Sequence, residues 1–283
     1  MKNRLKCIVI TVLSLVLLIF VGYGFYNPLS VTKITVCSDK INNPVKIALI
    51  CDLHSCDYGT GQVVLTDIID KETPDIVCLV GDIFDDKHPD DNAEILIKGI
   101  SGKYPCFYVT GNHEFDAGTH AFSNQMEILQ KNGVIRLANE SRDIELNGQK
   151  IKICGVDDPN YDLFNKNYHI HDALYDIQNN LQSVDFSVLL SHRPEYFSLY
   201  VDCGFDLVLS GHAHGGMWSI PVLLSNGIFA PDQGLFPKYT NGVYTSDKTT
   251  MIVSRGLERK RRNIPRFYNR PEIVIINLQK TAI

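Results

Sequence analysis

The chain has 283 residues, of which 45% are hydrophobic and 21% charged, a composition typical of globular domains rather than of disordered sequences. Three of its 27 basic residues and none of its 32 acidic ones lie in residues 1–26, so the rest of the chain carries a formal net charge of −8. Because proteins bind long nucleic acids by neutralising phosphates with basic residues, a body this acidic argues against such a partner.

The first predicted element is an uncharged apolar run at residues 7–26. A run of this length crosses the hydrocarbon core of a bilayer as a helix. A cleaved signal peptide is the alternative, since Gly22 and Gly24 have the spacing of a cleavage site, but the run is long for a signal sequence and we favour an uncleaved anchor. Basic residues precede it, so the positive-inside rule predicts a cytoplasmic tail at residues 1–6 and a single-pass protein of the cell membrane with its body on the outer face.

After Pro28, short strand-like runs alternate with helix-like segments, which predicts an α/β fold. Five runs are nearly continuous and apolar, as in strands buried on both faces. These runs are Ile47–Cys51, Ile76–Val80, Cys106–Val109, Phe186–Leu190 and Leu207–Leu209. The helices predicted between them are Gln62–Lys71, Asn92–Ile100, Ala121–Lys131 and Pro194–Val201.

Each of the five strands is followed at once by polar residues of a metal-binding type. Open α/β sheets place their ligand sites at the carboxyl ends of strands, and five of the nine histidines fall there. Carboxylate, imidazole and amide ligands suit Mn, Fe or Zn, and the lack of thiolates disfavours a structural zinc site. Seven candidates exceed the needs of one ion but fit two ions that share a carboxylate, a common arrangement for displacement at phosphorus. The candidates are Asp52, His54, Asp82, Asn112, His192, His212 and His214.

The order of these blocks resembles the calcineurin-like metallophosphoesterase superfamily over about residues 45–278. The blocks are Asp52-x-His54, Gly81-Asp82-x-x-Asp85, Gly111-Asn112-His113-Glu114, His192 and Gly211-His212-x-His214. Further stretches at 191–194, 230–239 and 254–257 resemble its membrane-associated phosphodiesterase branch, which includes UDP-2,3-diacylglucosamine pyrophosphohydrolases.

The resemblance implies a four-layer α/β/β/α sandwich with two mixed sheets, and the apolar run predicts one N-terminal transmembrane helix before it. The linker and a first strand would occupy residues 27–44, and the phosphoesterase domain residues 45–283. It also implies two divalent ions, for which we expect Mn, with Fe or Zn as alternatives. One ion would be bound by Asp52, His54, Asp82 and His214, and the other by Asp82, Asn112, His192 and His212, with Asp82 as the bridge.

The same resemblance implies roles for residues around the ions. His113 would stabilise the phosphoryl oxygen or protonate the leaving group, and Asp85 would orient His113. Glu114 would belong to the outer shell, while Arg193 and Arg255 are candidate contacts for the substrate.

Together these features predict a membrane-anchored hydrolase of a phosphodiester or pyrophosphate bond, acting on a lipid-linked or amphiphilic substrate. A nuclease and a phosphoprotein phosphatase are alternatives, disfavoured by the acidic charge and by the absence of an Arg after the second block. A non-catalytic metal-binding scaffold is the alternative of another class, although a scaffold has no need of seven ligands.

Two weaker features have two interpretations each. The basic block at residues 255–270 is either a solvated loop or a contact for anionic head groups. The apolar residues Ile228, Phe229 and Phe236 stand in a loop-like context, where core packing or a lipid-facing rim explains them.

Overall fold

Two six-stranded sheets face each other at the centre of the protein. A computed structural model describes residues 2–181, 186–261 and 264–281. The helices in these ranges are α1 (Lys2–Gly24), α2 (Val63–Glu72), α3 (Asp91–Ser101), α4 (Asn112–Asp116), α5 (Gly118–Lys131), α6 (Ile170–Gln178) and α7 (Phe197–Asp202).

The strands follow in chain order and include both the long strands and short two-residue ones. They are β1 (Ser30–Cys37), β2 (Val45–Ile50), β3 (Ile76–Val80), β4 (Cys106–Val109), β5 (Ile135–Arg136), β6 (Glu140–Leu146), β7 (Gln149–Gly155), β8 (Phe186–Leu190), β9 (Leu207–Ser210), β10 (Phe229–Ala230), β11 (Gly234–Leu235), β12 (Gly242–Ser246), β13 (Thr249–Val253), β14 (Lys260–Arg261), β15 (Ile264–Pro265) and β16 (Glu272–Gln279).

Both large sheets are mixed. The first has the order β1-β16-β2-β3-β4-β5, in which β2 to β5 run parallel and β16 is antiparallel to β2. The second has the order β12-β13-β9-β8-β7-β6, in which the four inner strands run parallel and the two edge strands are antiparallel to them. Because parallel strands end at the same edge, the residues that follow β2, β3 and β4 and those that follow β8 and β9 form two adjacent rows.

Apolar packing confirms the four-layer α/β/β/α sandwich. One buried cluster joins the inner faces of the two sheets, for example Leu49 on β2 with Val188 on β8. A second cluster covers the outer face of the first sheet with α2, α3 and α5, and a third covers the second sheet with α6 and α7. The five predicted strands are present, with their ends shifted by at most two residues.

The N-terminal helix α1 begins at Lys2 and ends at Gly24, slightly before the predicted run. It is long and apolar enough to cross a membrane, with a mean hydropathy of 2.7 over an 18-residue window, and this window is not buried in the protein. A signal sequence near an N-terminus can meet the same criteria of length and apolarity, so these criteria do not distinguish it from a membrane anchor. The first sheet begins at Ser30, ahead of residue 45, because β1 pairs with β16 along its whole length.

The end of α1 is packed against the body rather than separated from it by a free linker. Phe267 fills the space beside Gly24, where any Cβ would clash with its ring. Tyr268 N–H donates to the Gly24 carbonyl at 2.7 Å, and the Asn27 side-chain amide donates to the Arg266 carbonyl at 2.7 Å. We call this contact between the end of α1 and residues 266–269 the helix junction.

Candidate metal centre

The ends of five parallel strands bring all seven candidate ligands into one buried region. Among the described residues, five groups of three His, Asp or Glu side chains offer ligand atoms within 4.8 Å of one another, and two of these groups consist only of candidate ligands. The first group is Asp52, His54 and His214, and the second is Asp82, His192 and His212. These are the residues that the resemblance divides between two ions, apart from Asn112, whose Oδ1 is also buried.

Asp82 lies between the two groups. Its Oδ2 is 3.6 Å from His54 Nε2 and 3.2 Å from His192 Nε2. His54 belongs to the first group and His192 to the second, so one carboxylate faces both. This is the position that a bridging ligand requires.

Several polar atoms at this place have no hydrogen-bond partner among the described residues. They are His54 Nε2, Asp82 Oδ2, Asn112 Oδ1, His192 Nε2 and His212 Nδ1. An unpartnered buried polar atom costs free energy, and here five of them come from the candidate ligands. Imidazole nitrogens, carboxylates and an amide oxygen are also the donors that Mn²⁺, Fe²⁺ and Zn²⁺ accept. The residues therefore fit a centre for divalent metal ions.

The backbone at the strand ends is locally unusual. Five of the seven candidate ligands have left-handed φ angles between 46° and 66°, namely Asp52, His54, Asp82, His212 and His214. Such conformations cost about 1–3 kcal/mol each in residues other than glycine and concentrate at functional sites. The neighbouring glycines leave room for the ligands, because a Cβ at Gly211 would lie 2.7 Å from Asp52 Oδ2 and one at Gly111 would collide with Asp82.

The second ring nitrogen of each ligand histidine faces an acceptor. His192 Nδ1 donates to the Val80 carbonyl at 3.0 Å, and His54 Nδ1 lies 3.0 Å from Asp85 Oδ2. Such partners fix the ring and the tautomer, so that the other nitrogen faces the metal. His212 Nε2 lies 2.8 Å from Asp232 Oδ2, and His214 Nδ1 lies 3.3 Å from Glu258 Oε2. The sequence analysis assigned no role to either residue, although Asp232 lies within the family-like stretch 230–239 and Glu258 directly follows the stretch 254–257.

The carboxylates also hold protons on two of the histidines. Burial opposes the charge on His54, but the hydrogen bond to Asp85 and the charge of Asp82 outweigh it and raise its pKa to about 9. At His192, burial also lowers the pKa, but the charge of Asp82 outweighs this effect and raises the pKa to about 10. Burial and the charge of Arg193 instead lower the pKa of His212 to about 3. The negative field that keeps protons on His54 and His192 also attracts cations to the centre.

His113 faces two neighbouring carboxylates. Its Nδ1 lies 2.7 Å from Asp86 Oδ1 and 3.6 Å from Asp85 Oδ2. Asp86 is thus the nearer acceptor, while Asp85 Oδ2 faces both His54 and His113, and the role of Asp85 in orienting His113 stays a prediction. The ring of His113 packs edge to face on His54 at 4.5 Å, and its side chain is 19% exposed, more than the ligand histidines. His113 thus lies beside the ligands, on the side open to a substrate.

Glu114 connects two of the strand ends. Its carboxylate accepts backbone N–H groups of Gly111 at 2.7 Å and Asp82 at 3.1 Å, as well as that of Ile83 at 2.9 Å. Burial and the charge of Asp82 raise its pKa to about 7, although the backbone donors oppose this. Glu114 therefore holds the backbone around Asp82 and takes no part in the ligand groups.

The two candidate substrate arginines are both paired. Arg193 forms two hydrogen bonds with Asp158 and a further one with Asp232, and its Nη1 is 3.1 Å from His212 Nε2. Arg255 pairs with Glu272 and is directed toward β1, so the structure does not place it at the metal centre.

The comparisons with known proteins point to one family. A model of the calcineurin-like phosphoesterase family matches residues 45–216. The uncharacterized metallophosphoesterase YkuE of Bacillus subtilis is 29% identical over 276 residues, which cover 92% of this chain and 91% of that protein. The uncharacterized metallophosphoesterase Cj0846 of Campylobacter jejuni is 29% identical over 283 residues, covering 94% of this chain and 69% of the relative.

Two solved structures share the fold at low sequence identity. They are the NAD nucleotidase of Haemophilus influenzae, with a TM-score of 0.51 and 18% identity, and a 5'-nucleotidase precursor of Thermus thermophilus, with a TM-score of 0.50 and 14% identity. The similar region covers 76% and 83% of this chain but only 46% and 55% of those structures.

Proposed function

The chain belongs to the calcineurin-like phosphoesterase family, whose members hydrolyse phosphoester bonds, and on that premise we propose that it cleaves a phosphodiester or pyrophosphate bond of an amphiphilic compound at a membrane. The observation that carries the proposal is the convergence of unpartnered ligand atoms around Asp82. A lipid-linked substrate of the membrane-associated phosphodiesterase type is our specific expectation.

We propose that the centre holds two divalent ions, and that these are Mn. Asp52, His54, Asp82 and His214 would hold one ion, and Asp82, Asn112, His192 and His212 the other. When bound, the ions supply positive charge that stabilises an in-line displacement at phosphorus. The partners of the histidine rings keep the ligand nitrogens aimed at the centre before a substrate arrives.

His113 is the proposed acid of the reaction. Its ring stands beside the ligands and its Nδ1 faces Asp86, which leaves Nε2 free to donate a proton to the leaving oxygen. Asp86 fixes the orientation of the ring through this contact at 2.7 Å. The backbone N–H of His113 donates to Asp82 Oδ1 at 2.9 Å, so the acid and the bridging carboxylate are held in one fixed arrangement.

The membrane location is part of the proposal. The basic residues Lys2, Arg4 and Lys6 at the start of α1 favour an orientation with the catalytic domain on the outer face. The helix junction supports retention of α1, because cleavage after Gly24 would remove a helix whose end is packed on the body. N-terminal sequencing of the membrane fraction tests this: an intact α1 is expected, and a mature chain that begins near Phe25 would contradict an anchor.

The activity is tested with the full chain reconstituted in phosphatidylcholine nanodiscs. Separate samples of the protein are supplied with Mn, Fe or Zn. The substrates are a lipid-linked pyrophosphate, a nucleotide-sugar lipid, bis(p-nitrophenyl) phosphate, a phosphoserine peptide and single-stranded DNA. We expect hydrolysis of the amphiphilic compounds and of the simple diester. Preference for the phosphopeptide would indicate a phosphoprotein phosphatase, and preference for the DNA would indicate a nuclease. Metal binding without turnover of any substrate would indicate a non-catalytic metal-binding scaffold.

A further inference from the structure

An apolar cavity of about 540 Å³ lies beside the metal centre. It is lined by Gly216, Met217, Trp218, Ile228, Phe229, Pro231 and Ile264. Polar groups of this wall are already satisfied, because the Trp218 indole N–H donates to the Pro265 carbonyl at 2.8 Å and Ile228 N–H donates to the Gly216 carbonyl at 3.0 Å. Such a wall recognises hydrocarbon, and its volume is in the range of small-molecule pockets.

The cavity is joined to the metal centre through two of its lining residues. Met217 N–H donates to the carbonyl of His214, a candidate ligand, at 3.2 Å. Pro231, another lining residue, directly precedes Asp232, whose carboxylate lies 2.8 Å from His212 Nε2. A molecule in the cavity therefore lies next to the residues that hold the two histidines.

The cavity is also joined to the helix junction. The Trp218 ring, which forms part of the cavity wall, packs edge to face on Phe25 at 6.2 Å and contacts Phe267 at 5.7 Å. Exposed apolar side chains continue around this side of the body at Val222, Leu223, Leu235 and Phe236. An apolar rim of this kind marks a contact surface, and here it adjoins the helix that is long enough to cross a bilayer.

We propose that this cavity binds the hydrocarbon portion of the phosphate ester that is cleaved at the metal centre. This inference rests on the proposed function and adds the subsite that selects an amphiphilic substrate. The hydrocarbon portion of the substrate would enter from the bilayer side near Phe25, and the phosphate group of the substrate would lie next to His212 and His214. Specificity would then depend on the length of the hydrocarbon more than on the polar head group.

A chain-length series measures this selection. The substrates are p-nitrophenyl phosphodiesters with a methyl, butyl or octyl group, and the enzyme is the full chain in nanodiscs. We expect KM to fall about fourfold for each methylene group that enters the cavity, with kcat little changed. Equal KM values across the series would overturn the cavity proposal while leaving the phosphodiesterase activity intact.

Two exposed wall residues provide variants with matched controls. Phe229 is 44% exposed and Ile264 is 50% exposed, while Tyr175 and Val243, which lie outside the cavity, are 45% and 50% exposed. Phe229→Ser and Ile264→Ser should each raise KM for the octyl ester by about tenfold and spare the methyl ester. Tyr175→Ser and Val243→Ser should change the KM of neither the octyl ester nor the methyl ester. An equal effect of all four variants would contradict the proposal.

Trp218 gives a second readout that does not depend on turnover, because it is the only tryptophan in the chain. Saturable quenching of its fluorescence by 8-bromooctyl phosphate, but not by ethyl phosphate, is expected in the wild type and should weaken in Ile264→Ser. If no diester is hydrolysed, the proposed function fails, but the quenching experiment still shows whether the cavity binds hydrocarbon. Absence of quenching in an enzyme that hydrolyses the methyl ester would overturn the cavity alone.

Discussion

The strand ends around Asp82 and the segment at residues 255–270 are both rich in ionisable residues, and they differ in how those residues are partnered. Around Asp82, ligand atoms of five residues have no hydrogen-bond partner among the described residues. In the basic segment the described arginine side chains are paired with other groups of the protein. Arg255 pairs with Glu272, and the guanidinium of Arg259 lies 4.3 Å from the centre of the Tyr58 ring.

Arg266 is the extreme case in that segment. It is 2% exposed and donates to the carbonyls of Glu258, Arg255 and His214, with which it fastens the segment to a ligand loop. Arg270 lies over Tyr23 of α1 and forms a hydrogen bond with its hydroxyl at 3.0 Å. Polar atoms without hydrogen-bond partners thus mark the candidate metal centre, whereas the paired arginines of the basic segment stabilise the fold. The interpretation of the basic block as a head-group contact does not extend to Arg255 and Arg266.

The largest effect is expected at the bridging carboxylate. Asp82→Asn should lower metal content and reduce activity by at least about 10³-fold, more than the loss of a single transition-state contact, because an amide cannot bridge two cations through anionic oxygens. Elemental analysis and turnover of a simple diester check this, with the exposed Asp202→Asn as the control. Two retained ions with near wild-type activity would contradict the role of Asp82.

His113→Ala should separate chemistry from metal binding. Turnover should fall by about 10²–10⁴-fold, the usual contribution of a positioned acid, while both ions remain bound. Measurement of metal content and kcat in the same preparation is the test. If the variant loses metal, His113 is a ligand and its proposed role is wrong.

Metal affinity should depend on pH, because cations compete with protons at the centre. His54 and His192 have pKa values raised to about 9 and about 10, so both are protonated below these values and must lose a proton to bind a metal. The apparent affinity should therefore rise with pH below about 9, by about tenfold per pH unit for each proton displaced. Metal titrations at pH 6, 7 and 8 are expected to show this rise, and equal affinities would contradict it.

Two adjacent aspartates should give different defects. Asp85→Asn should weaken metal binding by about 10–100-fold, since it removes the partner of His54, whereas Asp86→Asn should lower kcat with both ions retained. The two variants are each other's control, as they stand side by side and lose the same charge. Reversed phenotypes would show that Asp85, rather than Asp86, is the partner of His113.

The smallest effect on the turnover of a soluble diester is expected in the basic block. Replacement of the four consecutive residues 259–262 by Ser should weaken binding to anionic liposomes by about 1 kcal/mol per charge that faces the membrane and leave the turnover of a small soluble diester unchanged. Arg262 and the side chains of Lys260 and Arg261 lie outside the described residues, so this stays a prediction. Equal loss on lipid and soluble substrates would show that the block supports the metal centre.

Local sequence patterns were sufficient to predict the strands and the residues that follow them. Each β-branched run ends in a block such as Gly211-His212-x-His214, and parallel strands necessarily present such blocks at a common edge. The division of the ligands between two ions and the two-sheet architecture came from the family resemblance. Periodicity alone does not distinguish one sheet from two, since strands buried on both faces look the same in either.

The tertiary structure alone decided which groups meet across long separations in the chain. Asp85 and Asp86 are neighbours of the same type, and only the path of the turn after β3 directs one to His54 and the other to His113. Asp232 reaches His212, and Arg266 reaches the carbonyl of His214, through loops whose course no local pattern records. A short-range pattern specifies the conformation of a few residues, whereas the partner of a buried charge depends on how distant loops pack around it.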